Sequence, residues 1–184
     1  TIKKLNIKEV NIDDYLNKRF DQPVYLNIDV MDYNARIDGK DSTFSDFLND
    51  SSLYKSTFMK YAAKTDLYFA GHFYATGAPY LFTRKDVKSP NFKISVVADV
   101  SCDIDGPVAT TIKPSTIDNP IYGYNRNTEK EDDFMSNDII AVMAVDNLPC
   151  ELPKDSSEDF GEHLIKHIIP IINSDNKIID RATI

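Results

Sequence analysis

Two cysteines, three histidines and six glycines among 184 residues leave little room for the common catalytic and metal-binding patterns. Cys102 and Cys150 lie far apart and match no zinc spacing, so reduced thiols in a cytoplasmic protein are the expectation. The glycines are too dispersed to form GxGxxG, a P-loop or GxSxG. A nucleotide-binding domain would therefore need its glycine loop upstream of Thr1. Basic residues are also in deficit: 21 Lys and Arg, scattered along the chain, against 29 acids give a net charge of -8. Binding a phosphate backbone needs a concentrated basic surface, which argues against a nucleic-acid partner. No apolar run approaches the ~20 residues that span a bilayer, and no signal peptide opens the chain, so no membrane partner is expected.

What is present is an ordinary globular composition, 42% hydrophobic and 27% charged, in a length that suits one domain. The chain opens on Thr1 and closes on "IIDRATI" without a polar tail, which suggests a piece of a longer protein. Segments 2–10 and 22–30 read as strands. Between them "NIDDYLNKRF" reads as a helix capped by Asn11. Residues 35–42 read as a loop, and Leu53, Phe58, Tyr61 and Ala62 predict a helix over 51–64. Three apolar strands follow, in "DLYFAGHFY", "KISVVADVS" and "DIIAVMAVDNLP", with a turn and short helix at 77–87. Residues 107–137, with three prolines and the charge run "TEKEDD", predict a hairpin or irregular region with a solvated tip. A last helix is expected over 156–172, capped by Ser156 or Ser157, with Phe160, Leu164, Ile168 and Ile171 as its stripe.

Apolar strands alternating with helices predict an α/β domain with a mostly parallel sheet, where ligands dock beyond the carboxyl ends of the strands. Three such ends are polar or turn-like: "AGHFY", "ADVSCD" and "AVDNLP". At the second, Asp99 and Asp103 could form a carboxylate pair or a magnesium site. Equally, Asp99 could cap Ser101 and the loop amides. Asp146 is a similar strand-end acid, and a divalent ion held by Asp99, Asp103 and Asp146 is one reading. Cys102 has no neighbouring histidine and reads as a small filler. His72, after Gly71, sits where backbone approaches a ligand closely or else is half-buried at a sheet edge. His163 and His167 share a helix face but lack a third ligand, so no metal site is expected there.

The succession "AGHFYATGAPYLFTRKD", "VVADVSCDIDGPVATTIKPSTIDNPIYGY" and "MAVDNLPCELPKDSSEDFGEHLIKHIIP" closely resembles lysine-forming saccharopine dehydrogenases and the lysine-ketoglutarate reductase half of the bifunctional lysine-degrading enzyme. Both belong to the alanine dehydrogenase and transhydrogenase superfamily. The resemblance spans about Leu53 to Ile172, with "ADVSCDIDG" and "VDNLPCELP" its most specific parts. It implies that residues 1–184 are one Rossmann-like nucleotide-binding domain, a fragment of a two-domain oxidoreductase, without its first strand and glycine loop. It further implies NAD or NADP as cofactor and a small amino-acid substrate. Saccharopine would be oxidised to lysine and 2-oxoglutarate, while an alanine-dehydrogenase-like enzyme of other substrate or a non-catalytic binding module is the alternative. By matching, Asp99, Val100 and Ser101 touch substrate, and Gly71, His72, Ala98, Val145, Asp146, Asn147 and Leu148 contact cofactor. The family's acid and base residues fall outside this chain, so the fragment alone is expected to be inactive. Glu9 lies near the ribose-reading position of the family, and a homo-oligomer stays open.

Overall fold

In the computed structural model, which describes residues 5–72, 74, 77–172 and 177–182, the alternating segment near the start forms only a two-residue strand, β1 (Lys8–Glu9). Asn11 then caps α1 (Ile12–Asn17), its side-chain oxygen accepting from the Asp14 amide at 2.8 Å. The chain returns in β2 (Val24–Tyr25), parallel to β1. The apolar run around β2 was expected to be a longer strand; Val24, Tyr25, Leu26 and Ile28 are each only half-buried.

Residues 34–64 depart from expectation. The predicted loop begins in β3 (Asn34–Arg36), and α2 (Phe44–Asn49) starts at a capping box in which Thr43 and Asp46 satisfy one another's amides. The predicted helix over 51–64 is a single 3-10 turn, a strand β4 (Tyr54–Ser56) and a short helix α3 (Met59–Ala62). Local polar bonds defeat the helical period here. Asp50 accepts from the Ser52 amide at 3.1 Å and hydroxyl at 2.6 Å, and the Ser56 hydroxyl donates to the Leu81 carbonyl at 2.7 Å. Antiparallel pairing of β4 with β3 takes up the rest.

The main sheet holds β5 (Leu67–Ala70), β6 (Val96–Asp99), β7 (Ile121–Asn125), β8 (Lys130–Asp132) and β9 (Ile139–Met143), in the order β5-β6-β9-β7-β8. Between β5 and β6, the capping box of Thr83 and Asp86 starts α4 (Arg84–Val87). The three runs that read as buried strands, β5, β6 and β9, are parallel and in register: Ala70 faces Asp99 and Ala98 faces Met143. Their carboxyl ends therefore finish at one edge. The hairpin β7–β8 adds an antiparallel extension. Its charge run is ion-paired, Glu129 to Lys88 at 2.6 Å and Glu131 to Lys113 at 2.7 Å, though such exposed pairs add little stability.

Beneath the sheet, Phe58 is 1% exposed and contacts four rings: Tyr33, Tyr61, Tyr68 and Phe82. Ile94, Val97, Val108, Ile140 and Val142 complete the same core. Gly123 in β7 is held by close approach. A Cβ there would lie 2.6 Å from the Asp132 carbonyl oxygen and 2.8 Å from the Phe134 amide nitrogen. Gly123→Ala is thus expected to lose about 2 kcal/mol by overpacking; a urea midpoint equal to that of the parent would contradict this close packing.

These elements form one unit, residues 1–146; residues 147–184 form a second. In the second, a 3-10 turn (Leu148–Glu151) leads into α5 (Pro153–His163), a π-helical turn (Leu164–Ile168) and α6 (Lys177–Ala182). The helix cap is Leu152 rather than Ser156 or Ser157, because Pro153 supplies a preset first-turn φ without a donor. His163 and His167 stack with ring centroids 5.6 Å apart on the exposed face.

Candidate functional site

Asp99 ends β6 with no exposed surface, a costly place for a carboxylate unless hydrogen bonds satisfy it. Four donors converge on it. One oxygen accepts from the Ser101 amide at 3.1 Å, the Ser101 hydroxyl at 2.5 Å and the Cys102 amide at 3.1 Å. The other accepts from the Thr111 hydroxyl at 2.6 Å. Of the alternatives the sequence left open, capping is what the carboxylate does. With its oxygens turned inward to these donors, it is poorly placed as a metal ligand. Among the described residues no group of three His, Cys, Asp or Glu side chains could hold a metal ion.

This clamp shapes the loop after the strand. Cys102 adopts a left-handed φ of 50°, and its thiol donates to the Ala144 carbonyl at 3.2 Å, beyond the end of β9. Burial pushes that thiol up, and the carboxylates of Asp99, Asp146 and Asp103 add to the effect, so it stays protonated at neutral pH. Cys102 is therefore a structural tie and not a nucleophile. Ser115 completes the rim, its hydroxyl accepting from the Ala144 amide at 3.0 Å while its own amide donates to the Ala144 carbonyl at 2.8 Å. Sequence reasoning missed Thr111 and Ser115; each acts across 12 or more residues, and no local period marks them.

At the end of β5 the chemistry is of another kind. Both ring nitrogens of His72 are buried and lack a hydrogen-bond partner among the described residues. Burial holds the imidazole below its usual range, and the pull of Asp99 and Asp103 in the other direction is the smaller effect. The ring is neutral at neutral pH, with one N–H to donate and one nitrogen to accept. Beside it, a Cβ built on Gly71 would meet nothing within 4 Å. Gly71, His72 and Val100 line one cleft of about 1640 Å³, whose lining also includes Tyr68 and Phe69 of β5.

The matched residues thus fall into distinct groups. Gly71, His72 and Val100 reach the cleft. Ser101 is half-buried and bonded to Asp99. Ala98 and Val145 are buried. Asp146 is exposed at the end of the first unit, while Asn147 and Leu148 open the second.

Parallel strands that end together beside a cleft, flanked by helices, define a Rossmann-like α/β domain. The chain belongs to the alanine dehydrogenase/PNT C-terminal domain family, whose sequence model matches residues 24–183. A saccharopine dehydrogenase [NAD(+), L-lysine-forming] of Schizosaccharomyces pombe is 34% identical over 104 residues, 53% of this chain and 26% of that protein. An alpha-aminoadipic semialdehyde synthase of Arabidopsis thaliana is 31% identical over 80 residues, covering 44% of this chain and 8% of that protein. The mitochondrial alpha-aminoadipic semialdehyde synthase of Bos taurus is 28% identical over 122 residues, 57% of this chain and 13% of its own length. The matches thus span about a quarter or less of these relatives. Family and relatives together place the chain among oxidoreductase sequences. Among the described residues no helix is long and apolar enough to cross a membrane.

Proposed function

We propose that the chain is the cofactor-binding part of a two-domain, cytoplasmic NAD(P)-dependent oxidoreductase acting on a secondary amine, with saccharopine as substrate and lysine and 2-oxoglutarate as products. The observation that carries the reading is His72, which lines the strand-end cleft and whose two buried ring nitrogens have no hydrogen-bond partner among the described residues. A buried polar group without a partner costs roughly 1–3 kcal/mol; a bound polar molecule would relieve that cost. Gly71 leaves room for such a molecule to approach the backbone.

When bound, the nicotinamide supplies a hydride acceptor for the carbon bearing the secondary amine. The chain's own residues bind and orient. Neutral His72 donates one hydrogen bond and accepts another, and Val100, 51% exposed, presents an apolar wall that keeps water away. Gly71, His72 and the main chain at Ala98 and Val145 hold cofactor, with Asp146, Asn147 and Leu148 following them. Val100 and Ser101 face the amino-acid substrate, and Asp99 acts through them by fixing their loop. Proton transfer belongs to residues outside this chain. A homo-oligomer is compatible with this assignment.

Calorimetric titration of the intact polypeptide with NAD+ and NADP+ tests the cofactor role. A Cβ at Gly71 meets nothing within 4 Å, so the stability of Gly71→Leu should stay within about 0.5 kcal/mol of the parent. Its affinity for the preferred cofactor should fall at least about tenfold, a loss of 1.4 kcal/mol or more. Parent-like affinity in Gly71→Leu would sink the assignment of this edge.

A further inference from the structure

The stretch that ends β6 carries three carboxylates, Asp99, Asp103 and Asp105, and the fold uses two of them internally. Asp99 is enclosed by the donors of Ser101, Cys102 and Thr111. At the other end of the loop, Asp105 takes a left-handed φ of 50°. Arg84 of α4 donates to its carboxylate at 2.5 Å. Its amide donates to the Thr111 carbonyl at 2.9 Å, and its carbonyl accepts from the Tyr80 hydroxyl at 3.3 Å. The loop is thus fixed at both ends. Between them the Gly106 amide donates to the Asp103 carbonyl at 3.0 Å, closing a tight turn. A Cβ on Gly106 would lie 2.7 Å from the Asp103 Cβ, so the turn requires glycine. The backbone of Asp103 is therefore held in place, while the residue is exposed and its carboxylate, among the described residues, has no hydrogen bond or ion pair.

A fixed carboxylate without a partner, at the edge where the parallel strands end, is a preformed acceptor for a cation. Its neighbours narrow the choice. Val100 before it is 51% exposed and Ile104 after it 44%, apolar surface that suits methylene groups and not a hydrated metal ion. Among the described residues no further ligands join it to hold such an ion. The loop after β5 runs beside this one, its Leu81 amide donating to the Pro107 carbonyl at 3.0 Å. The charge of Asp103 reaches His72 and Tyr74 on that loop, opposing the effect of burial on the imidazole and adding to it on the phenol. His72 is neutral and supplies no counter-ion. We infer that Asp103 is the specificity residue of this edge: its carboxylate binds the primary ammonium group of the amino-acid substrate, while Val100 and Ile104 pack against the methylene chain. The inference deepens the proposed function and rests on its placement of the amino-acid substrate beside Val100 and Ser101. It also separates the two products by charge. Lysine brings ammonium groups and methylenes, as does the lysine half of saccharopine. 2-Oxoglutarate brings two negative charges and no ammonium, and Asp103 repels it.

The test is calorimetric titration of the intact polypeptide with lysine and, separately, with 2-oxoglutarate, each alone and with NAD+ or NADP+ present. Asp103→Asn should weaken lysine binding at least about fivefold and leave 2-oxoglutarate bound as tightly or more tightly. Asp103→Glu keeps the charge and should recover most of the lost lysine affinity. Both variants should melt within about 2 °C of the parent, because the carboxylate they alter is exposed and unpaired. An unchanged lysine affinity in Asp103→Asn would overturn the inference. Equal losses for both ligands would overturn it too, since they would report a damaged loop. So would a parent that binds lysine under none of these conditions. Failure here is distinguishable from failure of the proposed reaction. Lysine binding that depends on Asp103, in a protein that reduces neither cofactor with saccharopine, would keep the role of this residue and remove the reaction. Saccharopine turnover with a parent-like KM in Asp103→Asn would keep the reaction and remove the role.

Discussion

Replacing Asp99 by Ala is expected to destabilise the first unit by about 3 kcal/mol or more, because it strands several buried donors at once. The Ser101 amide and hydroxyl, the Cys102 amide and the Thr111 hydroxyl all lose their acceptor. Removing a single donor leaves the carboxylate three others. Thr111→Val and Ser101→Ala should therefore cost less, about 1–2 kcal/mol each. For a chain of this length the larger loss lowers the melting temperature by about 6–12 °C. The chain has no tryptophan, so unfolding in urea is followed by circular dichroism. An Asp99→Ala midpoint within error of the parent would mean that the carboxylate is not the organiser of this loop. A drop in activity of Asp99→Ala would by itself report a collapsed loop; the substrate contacts are better probed at Val100.

Phe58→Ala should be the most damaging change in the core, at about 3–5 kcal/mol. The ring is 1% exposed, stacked on Phe82 at 5.7 Å and edge-on to Tyr68 at 4.9 Å. Its loss opens a void that neighbouring rings, themselves locked by contacts such as Phe82 to Phe92 at 5.0 Å, cannot fill by small movements. Phe58→Leu keeps most of the volume and should cost less than half as much. Met135, 77% exposed, is the control: Met135→Ala should stay within about 0.5 kcal/mol. A Phe58→Ala protein as stable as Met135→Ala would show that the core is not centred on this ring.

The strands that carry the site were legible because burial on both faces imposes continuous apolar runs, as in "VVAD" and "IIAVM". Their ends stood out as polar residues after apolar ones, which is how Gly71, His72 and Asp99 came to notice. What the residues do at those ends was not legible. Asp99 faces inward because Thr111, 12 residues on, supplies a hydroxyl, and nothing local announces that pairing. The helix expected over 51–64 failed for a related reason: Ser56 bonds to Leu81, 25 residues away, and β3 supplies a partner strand. Apolar residues 22–30 form only a two-residue strand, paired with β1 alone among the described residues.

The most direct measurement of the central claim is turnover by the intact polypeptide. Saccharopine is mixed with NAD+ or NADP+, and the appearance of reduced nicotinamide is followed by absorbance, with lysine and 2-oxoglutarate measured as products. The account predicts saccharopine-dependent reduction of one of the two cofactors, at a rate that falls at least about tenfold in Gly71→Leu at subsaturating cofactor, the same loss expected in its affinity. A folded intact polypeptide that reduces neither cofactor with saccharopine would contradict it.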